Sequence, residues 1–488
     1  MITKIKGAYV VGYENGDHVI YKDGEVVFQD DQVLFVGHSY PGDVDQEIDA
    51  GNALVGPGFV DLNALADIDN TPLTFDVQEE NTSGLSWSEE YIDRGPHDIG
   101  SLQDEVFKFR YALTHLLRNG ITTALPVTGL QYRAWAETEE EFEQYIDVVD
   151  ELGLRVYMGP SYRSGVHYRD AAGNPGLHWD EEKGKKGLKG AVQFINTLNQ
   201  LNNSRIKGLL VPSTIDTCKK DLLEQTRFYS DELDCPIRLH ATQSMREFRL
   251  IKEWYQKTPV QYLSDIGFLS DKVLIPHGIY VNGYSYEQIE DGPDLDLLRE
   301  SQAVIVHCPF VISRSGVLFE SFSKFNQYGI RLALGTDCYP ADLIISMRMG
   351  ILMGRIAENS QFACSTADMY RAATIGGADA LNRPDLGRLT PGAKADVIVI
   401  DLDSFHMGQI DDPIRTMVLN GFGSDTRMVF IDGRLVMENG MIPGVDYQDY
   451  RKKAQNYFDR LKNSYTERDY QHRGPETLFP SSFPIKTA

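Results

Sequence analysis

Eight short apolar runs, separated for the most part by helix-length sequence, occupy the middle of the chain. They fall at residues 57–60, 121–125, 154–158, 206–211, 236–240, 273–277, 303–307 and 331–337. Strands that alternate with helices pair in parallel, because the chain must cross over before it can return to the same sheet edge. Eight such units suit a closed (β/α)8 TIM barrel better than an open doubly wound sheet. One of the connecting helices reads clearly: residues 105–117 carry apolar side chains at helical spacing and stop before Gly120.

Both flanks of this series have a different texture. Residues 1–55 alternate apolar and polar side chains between turn signals such as Glu14-Asn15-Gly16-Asp17 and Lys22-Asp23-Gly24, with short strands at 26–28 and 33–36. The same texture returns at 395–401 and 428–436. A discontinuous β-sandwich built from both chain ends is the expectation, with 1–55 and 385–442 as its halves, 56–384 as the barrel, and 443–488 as a C-terminal helix and tail. Two unrelated caps are the alternative.

With 488 residues, 42% of them hydrophobic and 24% charged, the chain has the composition of a globular protein with a large core. No apolar run is long enough to span a bilayer, and the first residues lack the apolar core of a signal peptide. The five cysteines follow no paired spacing, which argues against a disulfide framework or a zinc ribbon. A cytoplasmic protein is expected. The formal net charge of −24 opposes contact with nucleic acid or an anionic membrane surface, so the expected partner is a small-molecule substrate; a homo-oligomer is left open.

Barrel enzymes carry their reactive groups at the C-terminal ends of the strands. Four consecutive strands end here in His240, His277, His307 and Asp337, separated by 37, 30 and 30 residues. One histidine at a strand end is usually structural; four consecutive polar ends, in a chain with eleven histidines, point to a site.

These residues sit in a longer pattern. Leu54-Val55-Gly56-Pro57-Gly58-Phe59-Val60-Asp61, Asn119-Gly120-Ile121-Thr122-Thr123, Leu239-His240-Ala241-Thr242-Gln243-Ser244, Ile275-Pro276-His277-Gly278, Val306-His307-Cys308-Pro309 and Leu334-Gly335-Thr336-Asp337 occur in that order. A closing segment runs from Ala373-Thr374 through Gly387-Arg388-Leu389-Thr390-Pro391-Gly392 to Ala395-Asp396-Val397. The chain resembles the amidohydrolase superfamily, in particular its aminohydrolase and chlorohydrolase branch, from about residue 7 to about 440. The resemblance implies a barrel beside a small β-sandwich and hydrolysis of a C–N bond or a related leaving group. It implies that His240, His277 and Asp337 ligate one divalent transition metal, zinc or iron. His277, His307, Asp337 and Gln243 would then serve catalysis.

Two positions depart from that pattern. The first-strand His-x-His, whose imidazoles would share one face of the strand, is Asn63-Ala64-Leu65. Gln243 stands where many family deaminases carry a glutamate that shuttles protons, and an amide cannot do so usefully. Ordinary aromatic deamination is disfavoured, although His240, His277 and Asp337 remain a legal set of two histidines and one carboxylate. Asp61, Asp67 and Asp69 are further oxygen donors nearby in sequence. The fourth-strand end, Leu210-Val211-Pro212-Ser213-Thr214, offers no lysine for a bridged two-metal site.

Candidate substrate contacts are Asn63, Arg163, Arg314 and Tyr339. The arginines could fork onto a carboxylate, with a salt bridge to an acidic neighbour as the alternative for each. A loop over 167–184, containing His167 and His178, is long enough to act as a lid. Cys308 reads as packing. There is no P-loop, dinucleotide fingerprint, Gly-x-Ser-x-Gly elbow or EF-hand loop. Three readings follow: an amidohydrolase-like enzyme with a non-standard mononuclear metal site, a metal-independent acid–base enzyme on the same barrel, and a catalytically silent binding homologue.

Overall fold

The computed structural model describes residues 1–79, 81–82, 86–129 and 135–486. The eight apolar runs form eight parallel strands: Phe59–Leu65, Ile121–Val127, Arg155–Met158, Ile206–Gly208, Ile237–Arg238, Val273–Pro276, Val304–His307 and Arg331–Leu334. The first four pair in chain order, as do the last four. Bridges between Leu210 and Ile237 and between Thr214 and His240 join the two sets. Alternate side chains explain why the runs look uniformly apolar. Ile121, Val156, Ile206, Ile237, Val273 and Ile305 pack against helices, while Leu125, Tyr157, Leu209, Leu274, Val304 and Ala333 form a second, interior cluster.

The helices are set by their caps. Ser101 and Asp104 form a reciprocal capping box at the start of Leu102–Arg118, and Thr138 and Glu141 do the same for Glu139–Leu152.

The two chain ends meet in one eight-stranded sheet. Strand Ala53–Pro57 runs parallel to Ile2–Glu14 on one side and antiparallel to Val397–Asp401 on the other. Phe28 and Phe430, on strands far apart in the sheet order, stack edge to face at 5.6 Å, so the sheet curls around a shared core with Val10, Val55 and Val399. Asn15 and Gly16 turn the first hairpin with positive φ, as their sequence predicts. Lys22-Asp23-Gly24 does not turn. It lies inside Asp17–Gln29, where pairing steps from Gly7–Gly24 to Tyr9–Lys22 and Asp23 takes φ 51°. The register is the same on either side, so Ala8 and Asp23 face each other across a local break in the ladder.

A second difference is the segment expected to be a lid. Gly165–Arg169 and Pro175–Trp179 form an antiparallel hairpin, with Trp87–Ser88 beside it, and Glu181–Leu201 is helical. The turn is ordered by Asp170, whose side chain accepts from the backbone of Ala172 and Asn174.

Two seams hold sheet and barrel together. Gly58 is needed where the chain passes from sheet to barrel, because a Cβ there would stand 2.1 Å from Thr122 Oγ1. Below the third strand, fully buried Arg155 donates to both oxygens of Asp396 at 3.1 and 3.2 Å and to Asp432 at 2.6 Å. Removing one partner of such a buried pair leaves an uncompensated charge and costs about 3–5 kcal/mol. Arg155→Ala is therefore expected to lower unfolding free energy by that amount in urea titration.

His18 marks the other seam. Its Nε2 pairs with Thr374 Oγ1 at 2.9 Å, and burial holds its pKa down at about 4, below the ordinary 6.5. The unfolded chain therefore takes up a proton at this residue before the folded one does. His18 contributes stability at neutral pH that is lost as pH falls from 6.5 toward 4, to a limit of about 3 kcal/mol. Replacing it by Phe is expected to flatten the stability–pH curve over that window, as read from urea midpoints.

Candidate metal centre at the barrel mouth

Three residues that end barrel strands adopt positive φ without being glycine: Thr242 at 59°, His277 at 75° and Asp337 at 57°. Such backbone costs on the order of 1–3 kcal/mol each and persists where neighbours enforce it. Here the neighbours are explicit. The N–H of His277 donates to Val306 O at 2.8 Å, that of Asp337 to Asn63 O at 2.8 Å, and that of Thr242 to Glu247 Oε1 at 2.6 Å.

The outcome is a convergence. Donor atoms of His240, His277 and Asp337 all lie within 4.8 Å of one another, the one such group of three among the described residues. His277 Nε2 stands 3.6 Å from Asp337 Oδ2, and the two imidazole rings are 5.5 Å apart. His277 is 1% exposed, yet neither ring nitrogen has a hydrogen-bond partner among the described residues. A buried polar side chain with both nitrogens unused is costly unless something else engages it. Burial keeps His277 neutral, with its pKa pushed down to about 3, and holds His240 well below its usual value. Neutral imidazole is the form that ligates metal. Burial pushes Asp337 up to about 7, against the opposing pull of Arg238. The set fits a divalent cation chemically: two neutral nitrogens and one carboxylate.

Asn63, expected at the substrate, holds this carboxylate. Its Nδ2 donates to Asp337 Oδ1 at 2.9 Å and to Cys308 Sγ at 3.7 Å. Cys308 itself is fully buried and its thiol is held protonated by burial, in keeping with packing. The three nearby acids are occupied elsewhere. Asp61 accepts from Thr336 Oγ1 at 2.6 Å, Asp67 pairs with buried Lys108 at 2.9 Å, and Asp69 accepts from Tyr339 N at 2.9 Å and Thr71 N at 2.8 Å.

His307 is 2% exposed and packs its ring 4.6 Å from Phe319, with Nδ1 unpartnered and its pKa pushed down to about 3 by burial. Gln243 is exposed, its backbone N–H held by Glu247 Oε2 at 3.2 Å. Arg163 lies over the Trp87 ring at 5.6 Å. Arg314 takes the acidic alternative, 3.7 Å from Asp69, and also donates to Tyr339 O at 3.4 Å. Tyr339 turns its hydroxyl to the Asp67 carbonyl at 3.3 Å and its ring to His115 at 5.0 Å. Of the residues expected at the substrate, Asn63 thus touches the centre and Arg314 and Tyr339 are engaged around the first-strand loop. Of the histidines in the segment expected to be a lid, His167 pairs with Asp216 at 2.7 Å, while His178 is exposed beside Trp135.

Two residues escaped the sequence reading. Arg238, 1% exposed, lies among the barrel strands, donates to Leu125 O at 2.8 Å and acts electrostatically on both Asp61 and Asp337. Its signal was an arginine inside the apolar run 236–240. Glu247 fixes the turn after the fifth strand, and Ser244-x-x-Glu247 is the capping pattern that announces it.

The sequence profile of the amidohydrolase family matches residues 78–436, and the chain belongs to that family. Among curated relatives, the 5-methylthioadenosine/S-adenosylhomocysteine deaminase of Thermococcus sibiricus is 26% identical over 445 residues, covering 90% of this chain and 94% of its own. The 5′-deoxyadenosine deaminase of Methanosarcina mazei is 25% identical, covering 94% and 98%. Among solved structures, a zinc-complexed atrazine chlorohydrolase from Arthrobacter aurescens superposes with a TM-score of 0.74 at 18% identity, covering 93% of this chain and all of that one. The last likeness is one of fold, a barrel with its β domain.

Asn63→Ala should free Asp337 Oδ1, and a divalent ion offered to this group would then be held about 10–100-fold more weakly, the usual effect of losing a residue that orients a ligand. Competition against a chelator of known affinity reads this directly.

Proposed function

We propose that this amidohydrolase hydrolyses a C–N bond, as in an amide, an amidine or a ring amine, or displaces a ring halide, in a small polar molecule. A single divalent transition ion, zinc before iron, would be held by His240, His277 and Asp337. The observation that carries the reading is their convergence within 4.8 Å around an imidazole whose nitrogens are both unused. The deaminase names of the full-length relatives support the reaction class, and the zinc-complexed structural neighbour supports the choice of metal.

When bound, such an ion supplies Lewis acidity that brings ionisation of water toward neutral pH. The protein's own part is positional. Asn63 fixes one oxygen of Asp337, leaving Oδ2 on the side of His277 to accept a proton. His240 and His277, neutral by burial, do not compete for that proton. Gln243 can orient a polar substrate but cannot protonate its leaving group. That favours groups able to depart without acid help from this position, such as a halide or an activated ring amine.

A second reading rests on Asp337 itself. Burial places its pKa at about 7, beside the electrostatic influence of Arg238, which suits a general acid or base working without metal. We place the protein in the cytoplasm on its five buried free cysteines; no described helix is long and apolar enough to cross a membrane. Exposed Leu352, Ile356 and Phe362 support association of copies.

The test is elemental analysis of protein purified without added metal, paired with turnover of amides, amidines, amino-heterocycles and halo-heterocycles. About one zinc per chain is expected, lost on His240→Ala, with turnover down by about 10²–10⁴-fold in Asp337→Asn. Metal-free protein whose turnover still requires Asp337 would favour the second reading. Metal-free protein inert on the whole panel would overturn both and leave a ligand-binding homologue.

A further inference from the structure

A cleft of about 680 Å³ opens beside the barrel mouth, between the hairpin Gly165–Trp179 and the helix Met245–Tyr255. Its volume is that of a site for a drug-sized molecule. Its chemistry is opposite to that of the chain as a whole. The protein carries a formal charge of −24, yet Arg169, Lys219, Arg246 and Arg249 line this cleft against one acid, Glu253. Few of these cations are matched by an acid, Asp216 acting on Arg246 only at longer range. Among the described residues no carboxylate pairs within 4.0 Å with Arg169, Lys219 or Arg246, and Arg249 reaches Glu287 only at 4.0 Å. Lys219 Nζ lies instead over the Trp179 ring at 4.1 Å, and Arg246 bonds the His167 ring.

The remaining walls are aromatic. Trp179 and Trp254 meet edge to face at 6.0 Å, and Trp254 is 37% exposed. Partly exposed tryptophans among cations that outnumber the acids form a surface that suits a flat, negatively charged molecule. Rings stack on the indoles, and the anion meets guanidinium forks.

We infer that this cleft is a second binding site, for a planar aromatic ring bearing a phosphate or carboxylate. It is distinct from the centre at His240, His277 and Asp337, but the two are joined. Arg246 bonds His167, His167 bonds Asp216 at 2.7 Å, and Asp216 accepts from Thr214, whose backbone bridges to His240. An anion that draws Arg246 away from His167 therefore acts on the segment that carries a residue of the centre.

Two of the chain's four tryptophans line the cleft, so binding is read by quenching of intrinsic fluorescence. The probes are adenosine 5′-monophosphate and 1-naphthoate, with adenosine (ring without anion) and inorganic phosphate (anion without ring) as controls. At least one probe should bind tenfold or more tightly than either control. Arg246→Gln and Trp254→Ala should each weaken it tenfold or more, and Lys252→Gln, exposed on the same helix but outside the cleft, should not. Binding should survive His240→Ala. Failure of both probes at millimolar concentration, or phosphate binding as tightly as they do, overturns the inference. So does binding lost in His240→Ala but kept in Arg246→Gln, since the probe would then occupy the barrel centre. Because the readout needs neither metal nor turnover, this outcome is independent of the proposed hydrolysis.

Discussion

The barrel is closed by side chains as much as by backbone. Where the eighth strand returns to the first, Asp61 accepts from both the hydroxyl and the N–H of Thr336, and Asn63 exchanges contacts with Asp337 through its own carbonyl and carboxamide. Gly335 allows the approach, since a Cβ there would stand 2.7 Å from that of Asn63. The same bonds that seal the ring fix Asp337 against His277. Closure and site are one construction, so the first strand retains a role even without histidines.

That closure has an electrostatic side. Burying Asp61 and Asp337 together, with pKa values pushed up to about 6 and about 7, is electrostatically unfavourable. Arg238 opposes both shifts from its place on the fifth strand. The guanidinium of Arg238 within the barrel and the carboxamide of Asn63 thus supply positive charge and a hydrogen bond to the Asp337 carboxylate.

The parts of this architecture that local chemistry dictates were legible in the residues. All eight barrel strands read correctly because each is a bounded apolar run, and His240, His277 and Asp337 stood out because strand ends recur at regular separations. What could not be read was partnership. Nothing near Asn63 says that it will meet Asp337, and nothing near Arg155 indicates Asp396 and Asp432. The hairpin at 165–179 was hidden because its pairing is short and its turn is held by one aspartate, so it looked like open loop. Asp23 differs for a related reason: an Asp-Gly pair marks positive φ, and here a strand accommodates that conformation without turning or changing register.

The curled sheet has a consequence for how the chain comes into being. Strand Ala53–Pro57 is completed on one side by Val397–Asp401, which the ribosome delivers only after the whole barrel. Until then the amino-terminal strands present an unpaired edge, and Arg155 waits for Asp396 and Asp432. The nascent protein must pass through a stage with its barrel largely synthesised and one flank unsealed. Its exposure to aggregation is therefore concentrated late in synthesis, at the end of the molecule opposite the reactive mouth.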